Sequence, residues 1–135
     1  MVSDVTRLDK HTFEWDRHCP QIIVFHAFMR TQLAQSYFVK NHMFVVQDKS
    51  FCLGPATFKK LVSDLELTGS VIQTHINSPR TTAYLATILA QNEKIKKLLA
   101  FSAGKRKYEY ESYFNELGMS NTRLFSDRLI DTPAV

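Results

Sequence analysis

Residues 70–110 constrain the fold of this chain more than any other stretch. They begin with Ser-Val-Ile-Gln-Thr-His-Ile, continue through Asn-Ser to Pro-Arg-Thr-Thr-Ala-Tyr-Leu, and end in an apolar run and a basic cluster. Ser70 and Gln73 have the spacing of a capping box, which predicts a short helix. Ser78 followed by Pro79 predicts the start of a second helix, because a hydroxyl cap precedes a proline at the first helical position. Two helices separated by so few residues must cross steeply, as in a helix-turn-helix.

A β-hairpin is predicted after the second helix. Residues 95–102 are apolar and strand-like, and Gly104 lies between them and a second extended run. The predicted tip of the hairpin carries three consecutive cations: Lys105, Arg106 and Lys107. The sequence therefore predicts a helix-turn-helix over residues 70–92 and a wing over residues 95–111.

The segments on either side of this motif favour helices that form a dimer. Residues 20–41 place apolar side chains at helical spacing on two faces, so a long helix there must be buried on two sides. A second copy of the chain could supply one of those walls, and a central helix in a monomer is the alternative. Further helices are predicted over residues 55–66, over residues 111–117 and in a last segment that begins at Ser120.

Residues 51–110 resemble the MarR-type winged-helix regulators. The resemblance rests on Pro79-Arg80-Thr81-Thr82-Ala83 at the start of the second helix, and on the run Phe-Cys-Leu-Gly-Pro-Ala upstream of it. It implies a mainly α fold with a small β-hairpin wing, in a single domain spanning residues 1–135 with dimerisation helices at both ends. It also implies a homodimer, and a small aromatic acid as effector.

These features together predict a sequence-specific DNA-binding transcriptional regulator. The second helix would enter the major groove with its N-terminal residues nearest the bases, and the wing would contact the backbone or the minor groove of double-stranded DNA. The predicted DNA-binding residues are Ser78, Arg80, Thr81, Thr82, Tyr84, Lys105, Arg106 and Lys107. A winged-helix module for protein interaction or assembly is the alternative, because Leu85 and Ile88 place apolar groups near the outer face of the helix.

Composition sets the remaining expectations. A net charge of +4 and a pI near 9.1 fit a polyanionic partner. Cys19 and Cys52 are the two cysteines, too few for a disulfide framework, and Cys52 is interpreted as a core thiol rather than a redox sensor. The chain shows no signal peptide and no membrane-spanning run, which predicts a soluble cytoplasmic protein without a membrane partner. Without a recognisable catalytic or phosphate-binding motif, no enzyme activity, catalytic residue, metal or cofactor is predicted.

Overall fold

A three-stranded parallel sheet with helices packed on one face forms the centre of the protein. The computed structural model describes residues 12–133, and the first eleven and last two residues of the predicted domain lie outside the described range. Strands and helices alternate along residues 69–124, so the fold is α/β and Rossmann-like. Among the described residues, no helix is long and apolar enough to cross a membrane.

The described chain begins with small elements. An antiparallel hairpin joins β1 (Phe13–Trp15) to β2 (Ile23–Phe25), and two short helices follow, α1 (Arg30–Ala34) and α2 (Tyr37–Lys40). Asp16, whose side chain is 1% exposed, attaches the hairpin to the start of the third helix because its carboxylate lies 2.8 Å from the Lys49 ammonium.

The central unit starts with the long helix α3 (Lys49–Asp64), and strands then alternate with helices. In chain order these elements are β3 (Gly69–Gln73), α4 (Pro79–Leu89), β4 (Ile95–Ala100), α5 (Lys107–Glu116) and β5 (Thr122–Leu124). β3 pairs in parallel with β4, and β4 with β5, so the order in the sheet is the order in the chain.

The helices α4 and α5 cover the same face of the sheet. Val71 lies opposite Leu98 and Ala100 lies opposite Leu124, so these four buried side chains point to one face. The first pair packs with Leu85 and its neighbours on α4, and the second pair packs with α5. The other face carries Ile72, Leu99 and Arg123, and Ile72 is 52% exposed.

The third helix packs beside α4 through small side chains. Cys52 and Ala56 of α3 meet Tyr84 and Ile88 of α4 in a buried cluster. The Tyr84 hydroxyl donates to the carbonyl oxygen of Pro20 at 2.8 Å, which brings the N-terminal hairpin against the same junction. α4 is therefore enclosed by the sheet, α3, α5 and the hairpin.

The winged helix-turn-helix prediction is wrong. The segment that begins at Ser70, predicted as the first helix, is the strand β3, because its β-branched residues pair with β4. The predicted wing is wrong as well, since only its first run, β4, is a strand. The chain then turns at Gly104 and continues as α5, which lies on the sheet instead of pairing back as a hairpin.

The predicted flanking helices are also corrected. Residues 20–41 hold β2, a 3₁₀ turn and the two short helices α1 and α2. Their apolar positions are therefore divided among short elements, and the long dimerisation helix does not form. The segment after Ser120 forms β5, where Leu124 fills the core. The helix predicted over residues 55–66 exists but begins earlier, at Lys49, with Asp48 as its N-cap.

The burial of α4 predicts how it responds to substitution. Ile88 is 0% exposed, so Ile88→Ala should lower the free energy of unfolding by about 2–5 kcal/mol through lost burial and a cavity. Thr87 is the exposed neighbour on the same helix, and Thr87→Ala should change stability by less than about 0.5 kcal/mol. Urea unfolding followed by circular dichroism measures both, and equal effects of the two substitutions would contradict the buried position of α4.

Candidate functional site

The carboxyl ends of β3, β4 and β5 meet at one edge of the sheet because the three strands are parallel. Three loops leave that edge: residues 74–78, 101–106 and 125–128. Open α/β sheets bind their ligands in the crevice at this edge. These three loops are therefore the candidate functional site, and we call them the carboxyl edge.

The first loop of the carboxyl edge positions the start of α4. Ser78 Oγ accepts a hydrogen bond from the Arg80 N–H at 3.3 Å, and Pro79 occupies the first turn. Gln47 Nε2 donates to the Arg80 carbonyl oxygen at 2.9 Å, which holds the segment before α3 against this turn. The positive end of the α4 dipole therefore points toward the carboxyl edge.

The second loop of the carboxyl edge is hydrogen-bonded to the third loop. Ser102 adopts a left-handed conformation, with φ of 66°, immediately after β4. Three successive N–H groups, beginning with that of Ser102, donate to carbonyl oxygens of residues 125–127 at 2.9–3.0 Å. The Ser102 hydroxyl donates to the Thr74 carbonyl oxygen at 3.3 Å and so joins the first loop as well. The backbone N–H groups of Ser102, Ala103 and Gly104 are thus engaged within the protein.

A partly buried hydrogen bond attaches α4 to the end of β3. Thr82 is 0% exposed, and its hydroxyl donates to Oε1 of the half-buried Gln73 at 2.9 Å. This contact joins the last residue of β3 to the start of α4.

A groove of about 460 Å³ runs from the first turn of α4 along α5. Arg80 and Tyr113 are among its lining residues, and the His42 Nε2 lies 3.1 Å from a carboxylate oxygen of Glu116 at its end. Burial raises the pKa of the Tyr113 phenol, and the nearby Arg80 guanidinium partly opposes that shift. The groove therefore presents a guanidinium next to a neutral phenol.

The structure separates the predicted DNA-binding residues of α4. Ser78 caps the helix and Arg80 is exposed in the groove, while Thr81 is half-buried. Thr82 and Tyr84 are 0% and 6% exposed, and both point into the protein. Of these predicted residues, only those in the first turn of α4 can therefore reach a partner.

The predicted wing cations lie at the start of α5. Lys105 and Arg106 form a 3₁₀ turn, and Lys107 is the first residue of the helix. Arg106 pairs with Glu109 at 2.8 Å, and hydrogen bonding to Arg106 lowers the pKa of the Glu109 carboxyl. Lys107 lies 3.7 Å from Glu111. This basic run is thus partly neutralised by carboxylates of its own helix.

Both cysteines are buried near the junction of α3 and α4. Cys19 and Cys52 are each 1% exposed, which confirms the core interpretation of Cys52. Burial raises the pKa of the Cys52 thiol to about 11, so it is protonated at neutral pH. Over residues 12–133, no group of three or more histidine, cysteine, aspartate or glutamate side chains could hold a metal ion.

The sequence interpretation missed Gln73 and Ser102, which shape the carboxyl edge. Each stands at the end of a short apolar run rich in β-branched or aliphatic residues. Polar residues in that position are typical of the carboxyl ends of buried parallel strands. The sequence indicates these two site residues only when both apolar runs are interpreted as strands of one sheet.

Comparisons with known proteins find distant relatives. The chain is 19% identical over 129 residues to "Putative methyltransferase NSUN7" of Mus musculus, and 20% identical over 130 residues to the protein of that name in Homo sapiens. Each alignment covers 96% of this chain but only 17% and 18%, respectively, of the relative, so the chain spans less than a fifth of their length. No protein-family model matches the chain, and no solved structure matches it.

These relatives overturn two predictions. They and the parallel sheet favour a methyltransferase-like α/β fold, so the prediction of a DNA-binding transcriptional regulator is wrong, and the alternative of a winged-helix interaction module finds no support. The prediction that the chain is not an enzyme is also wrong, because the relatives' name points to enzymatic function. The MarR-type resemblance, the homodimer, the effector and the cytoplasmic location are not tested and stay predictions.

The contact between Gln73 and Thr82 can be tested by removing its donor. Thr82→Val keeps the volume of the side chain but removes the donor to the half-buried Gln73 amide oxygen, so stability should fall by about 0.5–1.5 kcal/mol. Thr81→Val, at the half-buried neighbour, should have a smaller effect because no contact with β3 is lost. Thermal unfolding compares the two variants, and a Thr82→Val protein as stable as the parent would show that this bond does not fix α4.

Proposed function

We propose that this chain forms one half of a methyltransferase-like, doubly wound α/β domain. The observation that carries the proposal is the unit β3–α4–β4–α5–β5, with its strands in sequential order and both helices on one face. A doubly wound domain is built from two such βαβαβ halves, which meet beside the first strand of each. The distant relatives support methyl transfer as the activity of the complete domain.

The open face of the sheet supports the same proposal. Parallel sheets are ordinarily covered on both faces, yet the face that carries Ile72 and Arg123 has no helix among the described residues. At its carboxyl end, Phe101 and Phe125 stack with ring centroids 4.4 Å apart, and the Arg123 guanidinium lies over the Phe125 ring. This partial cover leaves room for the helices of a second half.

The carboxyl edge does not fit the methyl donor that a methyltransferase requires. A nucleoside ligand at such an edge is ordinarily held by a glycine-rich turn after the first strand and by an acidic residue beyond the second, which binds the ribose hydroxyls. Residues 74–78 contain no glycine, and β4 is followed by Phe101 and Ser102. The hydrogen bonds of Ser102 also close the space between the first two loops.

The contribution of this chain to donor binding is therefore architectural. Its three strands and the helices α3–α5 hold the carboxyl edge in place, and the Gln73–Thr82 bond sets the position of α4. The groups that hold the methyl donor would come from parts of the domain other than the carboxyl ends of β3, β4 and β5.

Donor binding tests this assignment. Isothermal titration of the chain with S-adenosylmethionine or S-adenosylhomocysteine should show no saturable heat up to about 1 mM ligand, because the carboxyl edge does not fit the methyl donor. A Kd above about 1 mM corresponds to less than about 4 kcal/mol of binding free energy. Circular dichroism of the same sample establishes that the chain is folded.

The matched variant is Ser102→Arg, which places a long side chain at the carboxyl edge. Saturable 1:1 binding by the parent chain that this variant abolishes would show that the edge holds the donor, and the architectural assignment would be wrong. If the Ser102→Arg variant and the parent chain give the same heat of binding, the ligand binds at a site elsewhere on the chain. That result would not contradict the assignment of the carboxyl edge.

A further inference from the structure

The third helix leaves an apolar side exposed along its length. Five residues on that side follow one another at alternating spacings of three and four, and we call them the α3 seam: Phe51, Gly54, Phe58, Leu61 and Leu65. The four large side chains of the seam are 56%, 37%, 50% and 59% exposed, in chain order. Because α3 is continuous through Pro55, the five positions lie on one side of the helix.

The α3 seam points away from α4. Cys52 and Ala56 are the residues of α3 that lie in the buried cluster with Tyr84 and Ile88 of α4. The four large side chains of the seam lie about 120–160° around the helix from that contact, at 3.6 residues per turn. The neighbouring helix therefore leaves the seam uncovered.

The spacing of the α3 seam is typical of a helix that pairs with one other helix. Residues that alternate at three and four are the a and d positions of a heptad, which a two-helix coiled coil buries. The a positions are Phe51, Phe58 and Leu65, and the d positions are Gly54 and Leu61. The g positions that border the seam are polar: Ser50, Thr57 and Asp64. A narrow exposed stripe of a and d positions fits a helix as its partner better than a flat surface.

A second copy of α3 fits the seam in the antiparallel orientation. Antiparallel pairing places the a positions of one helix across from the d positions of the other, and symmetry repeats each contact. Gly54 of each copy then lies opposite Phe58 of the other, and Phe51 lies opposite Leu61. In this register the two helices overlap over their full length. A Cβ added at Gly54 would meet no atom within 4 Å, so the phenyl ring has room there.

The parallel orientation fits less well. It would place Gly54 opposite Gly54 in one layer and Phe58 opposite Phe58 in the next. The first layer would contain a void, which close-packed interfaces avoid. Antiparallel pairing also sets Asp64 of one copy opposite Ser50 of the other, so no like charges meet at this polar border.

We propose that α3 of a second copy packs antiparallel on the α3 seam, so that the chain forms a symmetric homodimer. The inference goes beyond the proposed function and does not rest on it. The surface differs from residues 20–41, where the long helix predicted to dimerise does not form. Because one pair of 16-residue helices buries less than the about 1,200–2,000 Å² of a stable interface, the dimer is expected to be weak.

Sedimentation equilibrium from about 10 µM to 1 mM chain should show reversible dimerisation. Leu61→Glu should weaken the dimer at least about tenfold, because it places a charge against the apolar seam of the other copy. Leu53→Glu is the matched control, since Leu53 is 43% exposed but lies about a third of a turn around the helix from the centre of the seam. This control should leave dimerisation unchanged, and circular dichroism establishes that both variants are folded.

Crosslinking tests the antiparallel register. The symmetry axis passes near residue 56, so the two copies of Thr57 lie next to each other across the border of the seam. A short bismaleimide should therefore join two Thr57→Cys chains. It should not join two Asp64→Cys chains, because these positions lie about 24 Å apart along the helices at 1.5 Å per residue. The parent chain is the control, since Cys19 and Cys52 are each 1% exposed.

Three results would overturn the proposal. A parent chain that stays monomeric at about 1 mM would leave the seam to a helix of a different polypeptide. Equal dimerisation of the Leu61→Glu and Leu53→Glu variants would place the contact on another surface. Crosslinking at position 64 as fast as at position 57 would show parallel pairing. None of these measurements involves a methyl donor, so the dimer and the proposed function can fail separately.

Discussion

The enclosure of α4 is the constraint on which the rest of the structure depends. Seven of the eleven residues of this helix are buried, and they face the sheet, α3 and α5 in turn. Ala83 and Ala86 permit close approach to the strands, while Tyr84 and Ile88 fill the junction with α3. After its first turn this helix exposes only Thr87, which leaves little surface for a DNA groove, so the position of this one element decides between a winged helix and a parallel α/β sheet.

Local signals in the sequence predicted several elements correctly. Ser78 and Pro79 start α4 as their cap chemistry indicates, and the apolar run after residue 94 is the strand β4. The pattern predicts a helix from Ser70 because Gln73 completes a capping box. The periodicity of a seven-residue run with two isoleucines and a valine does not distinguish a helix from a strand. Its pairing with β4 makes it a strand.

The errors that changed the fold concern contacts between distant parts of the chain. The basic run after Gly104 was taken for a hairpin tip, although Arg106 and Glu109, and Lys107 and Glu111, have the spacing of ion pairs along a helix. The carboxyl edge could not be predicted either, because it exists only when residues separated by 28 positions, such as Thr74 and Ser102, meet across parallel strands. Such pairings depend on the topology of the sheet, which a single sequence does not specify.

The parallel order of the strands determines the fold, and nuclear Overhauser effects between backbone protons test that order directly. We expect cross-strand contacts between Val71 and Leu98 and between Leu99 and Arg123, in parallel register and together in one folded species. Contacts between residues i and i+3 throughout residues 70–76, with antiparallel contacts between the runs on either side of Gly104, would instead show two helices and a wing. That result would contradict the α/β sheet and the methyltransferase-like domain proposed from it.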